Sequence, residues 1–409
     1  MAPDGPDSGV TSPSSVEQRP SPPRGWGRRR FKGAALNLLL VGTSLLFAFI
    51  VVELSVRVIA PQQLVLIRPD LWQPVDTLGW MRNPNADLEI NTGERTVRLL
   101  TDAQGFRIGN NPHPTDGAIL LLGDSFMEAL QVEHEQSLAG VLEERLPAAV
   151  GRSVAVRNGG VGGWSPSQYL LLARKALERD EYSLVLLALY VGNDIVLQRS
   201  DYFSARAAVV RHRLRVPRSL EGRELVDALA YPVNDFLEVR SHLFILARQQ
   251  LRTFRMRAGL FALEFSAVYL RESADSPRWD ATAAIVADIA KAALAHGTPT
   301  LVVLIPDAIQ VAPERLDAYV QGYGIDPASI DIDQPQRRMT AELEGRGIDV
   351  VDPLSVFRDA HSRGIQTHGS VDAHFSPEGH RLLAELVERS VIDALRADTS
   401  RVPERGQAP

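Results

Sequence analysis

The chain has 409 residues, a formal net charge of −6 and no cysteine. Its length suits one large domain or two ordinary ones, and its 45% hydrophobic content is typical of a globular protein. The negative charge argues against general nucleic-acid binding, and the lack of cysteine excludes disulfides, thiol catalysis and cysteine metal sites.

The first segment is polar. Residues 1–27 are rich in Pro, Gly and Ser and contain almost no large apolar side chain. Such a segment buries too little surface to offset its chain entropy, which predicts disorder. A basic cluster with Arg28, Arg29 and Arg30 follows. We therefore predict a disordered cytoplasmic tail over residues 1–33.

An uncharged apolar run, "AALNLLLVGTSLLFAFIVV", covers residues 34–52. At about 1.5 Å per residue it nearly spans the roughly 30 Å hydrocarbon core of a bilayer. We predict a transmembrane signal anchor over residues 34–56. The basic residues precede the run, so the N-terminus is expected in the cytoplasm and the rest outside it. The alternatives are a cleaved signal peptide, a twin-arginine export signal read from "RRRFK", and a buried soluble helix, which the apolar character on every face disfavours.

Short strand-like segments follow the apolar run. The turn pairs Asn83-Pro84 and Thr92-Gly93 separate them. Residues 57–112 are therefore predicted to form a small β-rich lead-in to the main domain.

Strands and helices then alternate. Continuous apolar runs such as "AILLLG" predict strands that are buried on both faces. The predicted strands cover residues 118–123, 153–158, 183–190, 300–306 and 348–353, and the predicted helices cover residues 126–146, 165–179, 279–296 and 334–345. This alternation indicates an α/β fold with a mostly parallel sheet, whose functional sites lie at the carboxyl ends of the strands.

An arginine-rich stretch with helical periodicity, residues 197–277, interrupts the alternation. Its arginines fit solvated helix faces, and they also fit a lip that touches anionic lipid head groups or an anionic polymer. Residues 398–409 are predicted to be a disordered tail.

The first predicted strand is followed by "GDSF", in which Ser125 stands at the start of a helix. Ser125 fits a helix N-cap, since Ser125 and Glu128 have capping-box spacing. It also fits a nucleophile, because a helix N-terminus offers N–H groups and a favourable dipole to an oxyanion.

The next two strands also end in small polar motifs. "NGGVGGW" contains Gly160, and "GND" contains Asn193. Both fit tight turns, but a glycine N–H and an asparagine amide are also suitable oxyanion donors. The last strand leads to "SVDAHFSPEGH", in which Asp372 precedes His374 by two residues. A hydroxyl, two amide donors, a base and an acid are therefore expected at one edge of the sheet.

Other histidines in this region are interpreted as structural. Ser376 and Pro377 signal the start of a helix, and His380 lies inside that helix. His368 is a loop residue with no partner evident from the sequence.

These four ordered blocks resemble the SGNH/GDSL hydrolase family, in particular a membrane-anchored bacterial branch, over residues 102–397. The resemblance implies a three-layer, flavodoxin-like SGNH hydrolase domain over residues 113–397 that contains the insertion. It implies Ser125 as the nucleophile, His374 as the base and Asp372 as its partner acid, and it implies an oxyanion hole formed by Ser125, Gly160 and Asn193. No metal and no other cofactor is implied.

The chain departs from the family pattern at one point. The usual last block is D-x-x-H, whereas this chain has D-x-H. In an extended segment, residues two apart point to the same face, so Asp372 can still reach the ring of His374. Asp352, after the fifth predicted strand, is the alternative acid.

Three functions remain open at this level. The first is an exported ester hydrolase acting on an acylated small molecule, carbohydrate or lipid, and the second is a polysaccharide O-acyltransferase that uses the same acyl-enzyme. The third is an inactive binding or scaffold protein on a hydrolase fold. A membrane, through the N-terminal helix, is the expected partner, nucleic acid is not, and the sequence leaves the oligomeric state undetermined.

Overall fold

The computed structural model describes nine parts of the chain and divides it into two units, residues 1–55 and residues 56–409. The described parts are residues 26–60, 62, 70–92, 94–110, 118–195, 236–237, 240–257, 265–370 and 373–399. Both predicted tails lie mostly outside them, as does much of the predicted insertion.

The N-terminal unit contains most of helix α1, Trp26–Ile59. Within α1, the 24-residue stretch Leu36–Ile59 is long and apolar enough to cross a membrane. No other helix in the described residues meets this condition. At about 1.5 Å per residue the stretch spans about 36 Å. A membrane anchor and an N-terminal signal sequence both have this form.

Ten strands follow. They are β1 Trp72–Val75, β2 Gly79–Arg82, β3 Asp87–Asn91, β4 Thr96–Thr101, β5 Arg107–Ile108, β6 Ala118–Leu122, β7 Val156–Asn158, β8 Tyr182–Tyr190, β9 Thr300–Ile305 and β10 Val350–Val351. Strands β1 and β2 form a separate antiparallel hairpin, and the other strands form one sheet in the order β10-β9-β8-β6-β7-β5-β4-β3.

The strands from β6 to β10 are parallel, as predicted. Numbered among themselves, these parallel strands run 2-1-3-4-5, the flavodoxin-like order. Strand β8 shows why the fold has three layers. Its side chains alternate, with Val185 and Leu187 in one hydrophobic core and Leu184 and Leu186 in the other. Each face of the sheet therefore carries its own apolar core under a layer of helices.

Strands β3, β4 and β5 of the lead-in are part of the main sheet. Strand β5 pairs antiparallel with β7 through Arg107 and Asn158, and β4 and β3 continue outward from it. The sheet is therefore mixed, with three antiparallel strands added to the parallel ones.

The described residues contain ten further α-helices. They are α2 Ser125–Glu128, α3 Leu138–Val150, α4 Pro166–Leu177, α5 His242–Arg257, α6 Arg278–Ala295, α7 Ala308–Val311, α8 Pro313–Tyr323, α9 Gln334–Glu344, α10 Leu354–Ser362 and α11 Pro377–Thr399. Helix α5 lies within the predicted insertion, and α4, α6 and α9 agree closely with the predicted helices.

The single helix predicted over residues 126–146 is wrong. Helix α2 ends at Glu128, its C-cap Ala129 is left-handed at φ 53°, and α3 begins only at Leu138. The cause is Arg107, whose buried guanidinium donates to the carbonyl of Ala129 and, at 2.8 Å and 2.7 Å, to those of Glu128 and Val132. Because these carbonyls accept hydrogen bonds from Arg107, they do not need the N–H groups of a following helical turn.

The sheet order explains where the sequence motifs meet. Strand β6 lies between β8 and β7. The residues after β6 are therefore flanked on one side by the glycine turn after β7 and on the other by the turn after β8. This edge is the expected position of a site in such a sheet.

Candidate active site

Ser125 is the first residue of α2, directly after β6. The cap of this helix is Asp124, whose Oδ1 accepts the Phe126 N–H at 2.9 Å. The interpretation of Ser125 as the N-cap is therefore wrong. Asp124 provides the cap, and the Ser125 hydroxyl engages a different partner.

That partner is His374. Its Nε2 lies 2.6 Å from Ser125 Oγ, although the two residues are 249 positions apart in the chain. With the serine hydroxyl as donor, Nε2 is the acceptor and the ring is the tautomer protonated at Nδ1. The ring of His374 packs on that of Phe126 with centroids 4.8 Å apart. Phe126 is buried and therefore provides a fixed surface for the imidazole to pack on.

The loop that carries His374 is tied down at its base. The Gly369 N–H donates to the His374 carbonyl at 2.9 Å, and Arg315 donates to the Gly369 carbonyl. The hydrogen bond from Gly379 N–H to Ser376 Oγ, 3.2 Å, caps α11 immediately after the loop, as expected. His374 therefore has a defined position before any substrate arrives.

Asp372 lies outside the described residues. The alternative acid, Asp352, uses its Oδ1 to accept the Leu354 N–H at 3.0 Å. This oxygen therefore already binds a backbone N–H at the start of α10.

Asn193 lies in the turn after β8. Its Nδ2 donates to Asp124 Oδ2 at 3.2 Å. An amide group has two such protons, so this bond uses only one of them. Burial raises the pKa of Asp124, and this effect is opposed by the Phe126 N–H, by His374 and by Asn193. Asp124 therefore links α2 to the side chain of Asn193.

Gly160 lies in the turn after β7, pressed against α2. A Cβ atom there would lie 2.5 Å from Met127 Cβ and 2.7 Å from Glu128 N, so only glycine fits. Its N–H donates to Asn158 Oδ1 at 3.0 Å, while Asn158 Nδ2 donates to the Met127 carbonyl at 2.7 Å. The Gly160 proton already has an acceptor, and an oxyanion bound there would share it.

Asp194 shapes the turn that carries Asn193. It is fully buried, accepts the Tyr169 hydroxyl at 2.9 Å on Oδ1 and accepts the Tyr190 N–H at 2.8 Å on Oδ2. Burial raises the pKa of Asp194 well above its usual value, and the nearby charge of Asp124 raises it further. Asp194 is thus a structural acid behind the amide donor.

The other two histidines of this region are buried. His380 accepts the Leu138 N–H on Nδ1 at 3.2 Å, and burial lowers its pKa to about 3. The structure gives His368 partners that the sequence did not show. Its Nδ1 lies 3.0 Å from Thr367 Oγ1 and its Nε2 lies 3.4 Å from the Pro306 carbonyl, and burial lowers its pKa to about 3. Neither ring competes with His374 as a base near neutral pH.

Sequence reasoning missed Asp124 and Phe126. Asp124 carried a local signal, because aspartate directly before a helix is a preferred N-cap residue. Phe126 carried none, since its contact with His374 depends on the packing of a distant loop. Chemically, the assembled groups are a hydroxyl held by an imidazole beside an amide donor, which suits nucleophilic attack on an acyl carbon.

Comparison with known proteins gives one family match. Residues 263–406 match the family described as "SGNH hydrolase-like domain, acetyltransferase AlgX". The matched part includes His374, whereas Ser125, Gly160 and Asn193 precede it. The match agrees with the family resemblance of the sequence motifs over this part of the chain. A search of curated proteins finds no match.

Three solved structures illustrate the similarity to known structures. A lipolytic protein of the G-D-S-L family from Veillonella parvula is 12% identical, with 66% of this chain and 96% of that chain covered and a TM-score of 0.35. A lipase/acylhydrolase from Enterococcus faecalis is 14% identical, with 68% and 95% covered and a TM-score of 0.34. An acetyl xylan esterase is 12% identical, with 67% and 99% covered and a TM-score of 0.38. Likeness at this level carries no argument about substrate.

Proposed function

The chain carries an SGNH hydrolase-like domain, and from that premise we propose that it is a membrane-anchored, extracytoplasmic serine ester hydrolase. Its proposed substrates are acyl esters of cell-envelope carbohydrate or lipid. One observation carries the proposal: the 2.6 Å hydrogen bond between Ser125 Oγ and His374 Nε2. A hydroxyl in contact with a neutral imidazole is the basic element of a serine hydrolase.

In the first chemical step, Ser125 Oγ attacks the ester carbonyl and its proton passes to His374 Nε2. The tetrahedral intermediate then collapses, the bond to the alcohol oxygen breaks, and the alcohol leaves with the proton from His374. The acyl group remains on Ser125. Asp372 is the proposed acid that orients the ring and stabilises its charged form.

The oxyanion of this intermediate is proposed to accept from the Ser125 N–H, the second Nδ2 proton of Asn193 and the Gly160 N–H. The position of Ser125 at the start of α2 supports this role, because the first N–H groups of a helix have no intrahelical acceptor. Asn193 is held ready by Asp124, so little reorganisation accompanies the reaction.

The second step releases the acyl group. A water molecule gives a proton to His374 and attacks the acyl carbon, and the resulting acid departs as Ser125 Oγ takes the proton back. In the alternative function, a sugar hydroxyl replaces water and the product is a new ester. The description of the matched family, which includes the word acetyltransferase, favours keeping this candidate.

The nucleophile is tested with Ser125→Ala in the full-length chain in detergent, with Ser362→Ala as the control. Ser362 is exposed at the end of α10. We expect the first variant to lose hydrolysis across a panel of acyl esters while it keeps wild-type circular dichroism, and the control to retain activity. Undiminished hydrolysis in Ser125→Ala would refute the assignment.

A serine-directed phosphonate tests the third function, an inactive scaffold. Covalent labelling of Ser125 in the wild-type chain, located by peptide mass spectrometry, supports an enzyme. Absence of labelling together with absence of hydrolysis would support the scaffold.

Hydrolase and transferase are separated by product analysis. The acetylated enzyme is allowed to turn over with and without a polysaccharide acceptor. Free acetate in both reactions supports the hydrolase, whereas an acetylated polysaccharide formed at the expense of acetate supports the transferase.

The proposed location rests on α1. The apolar stretch Leu36–Ile59 and the basic residues before it support an uncleaved anchor with the catalytic domain outside the cytoplasm. Retention of the intact N-terminus in the membrane fraction, measured by mass spectrometry, is expected. A C-terminal reporter that is active only outside the cytoplasm should also be active. A cleaved N-terminus would indicate a signal peptide instead.

A further inference from the structure

A buried ion pair, Glu128 with Arg82, lies near Ser125. Glu128 ends the short helix that Ser125 begins, and its side chain is 1% exposed. Its Oε1 accepts the Trp72 Nε1–H at 3.0 Å and lies 3.6 Å from Arg82 Nη1, while its Oε2 accepts the Gly162 N–H at 2.8 Å. One carboxylate thus connects the β1–β2 hairpin, the nucleophile helix and the glycine turn.

Arg82, the last residue of β2, is fully buried. Its Nε donates to the Gly105 carbonyl at 2.8 Å, its Nη2 donates to the Asn158 carbonyl at 2.7 Å, and its Nη1 donates to the Gly160 carbonyl. A guanidinium offers five donors in a rigid plane and can bind all these groups at once, which a lysine ammonium cannot do. We call Arg82, Glu128 and Trp72 the clamp.

The clamp acts close to the reacting hydroxyl. A Cβ on Gly162 would lie 2.7 Å from Glu128 Oε2 and only 3.7 Å from Ser125 Cβ. The Trp80 indole binds the Gly162 carbonyl at 3.0 Å, so the hairpin holds this glycine on its other side. A shift of about 1 Å at such a position can reduce a rate about 100-fold.

Stability alone does not explain charges at this place. Apolar residues of similar volume often stabilise a core as well as a buried ion pair does, because both charges must be desolvated. Burial raises the pKa of Glu128, and Arg82 opposes the shift. A fixed geometry is the better-supported use of such a pair.

We propose that the clamp positions the glycine turn against the nucleophile helix, and that the β1–β2 hairpin is thereby a working part of the active site. Arg82 and Glu128 are positioning residues that act through Gly160, Gly162 and Ser125. The proposal rests on the proposed function for its kinetic consequence, but the ordering of the turn can be measured independently.

The test compares Arg82→Lys with Arg98→Lys in the full-length chain in detergent. Arg98 lies on β4 of the main sheet and forms an exposed ion pair with Asp87. It therefore controls for replacing a paired arginine by lysine away from the site. For Arg82→Lys we expect acylation by p-nitrophenyl acetate, corrected for the folded fraction, to fall about 10- to 100-fold. KM and the midpoint of the pH profile should stay the same, since neither the bound ester nor the base is altered. Arg98→Lys should match the wild type.

Hydrogen exchange supplies a readout that needs no activity. In Arg82→Lys the amides of residues 158–164 should exchange faster, with the rest of the sheet unchanged. Unchanged exchange in this segment, or a rate loss no larger than the loss of folded protein, would overturn the proposal.

A second variant tests the proposal if Arg82→Lys does not fold. Trp72→Phe removes one donor to Glu128 and keeps an aromatic ring, and it should show both effects at a smaller size. Wild-type rate and wild-type exchange in Trp72→Phe would then overturn the proposal. If the wild-type chain neither hydrolyses esters nor labels at Ser125, the proposed function fails, and the exchange comparison still tests the clamp.

Discussion

Replacing Asn193 by alanine tests the oxyanion site most directly. The change removes the side-chain amide, which donates one proton to Asp124 Oδ2 at 3.2 Å. In the proposed mechanism, the other proton of this amide binds the oxyanion. Loss of one oxyanion donor typically lowers turnover about 10²- to 10³-fold. At about 1.36 kcal/mol per tenfold change, this corresponds to roughly 2.7–4 kcal/mol of transition-state stabilisation.

The structure points to the upper end of that range. The Gly160 N–H already donates to Asn158 Oδ1 at 3.0 Å, so its contribution to an oxyanion would be shared. Asn193 and the Ser125 N–H must then carry more of the developing charge. The fold itself should survive, because Asp124 keeps its bond to the Phe126 N–H at 2.9 Å.

The assay is steady-state hydrolysis of p-nitrophenyl acetate by the full-length chain, with the folded fraction taken from thermal melts. We expect kcat to fall and KM to change little, since the interaction strengthens only in the transition state. Asn110→Ala, at an exposed position, is the control and should behave as wild type. A kcat loss of less than about tenfold in folded Asn193→Ala would refute the oxyanion role.

Two further predictions concern acids. Asp372→Asn should lower kcat far more than Asp352→Asn, measured with the same ester, because Asp352 Oδ1 already accepts the Leu354 N–H; an equal or larger loss in Asp352→Asn would contradict the proposed partner acid. The pKa of Asp194 is raised above its ordinary value of 3.8, so its contribution to stability is present below that value and is lost as pH rises through the folded-state pKa. Asp194→Asn should therefore flatten the decline in the free energy of unfolding above about pH 4, measured by urea denaturation across a pH series, and an unchanged slope would show that the buried carboxyl does not titrate as described.

Much of the fold was predictable because its signals are local. Apolar runs marked the strands β6, β8 and β9, and the alternation of strands with helices indicated a parallel sheet. The break between α2 and α3 was not predictable, because it depends on the side chain of Arg107 in β5. This side chain donates to carbonyls that would accept from N–H groups of a continuous helix.

The same distinction holds for the site. The sequence by itself determined the candidate groups Ser125, Asn193 and His374, since each follows a predicted strand and their order matches a known family. Only the tertiary structure decided that Asp124 rather than Ser125 caps the helix, and that Arg82 and Glu128 form a buried pair near Ser125. The physical reason is distance along the chain: Arg82 binds the Gly160 carbonyl across 78 positions and His374 binds Ser125 across 249. Periodicity and capping preferences act over a few residues, whereas such contacts arise only when the packed sheet brings its strand ends together.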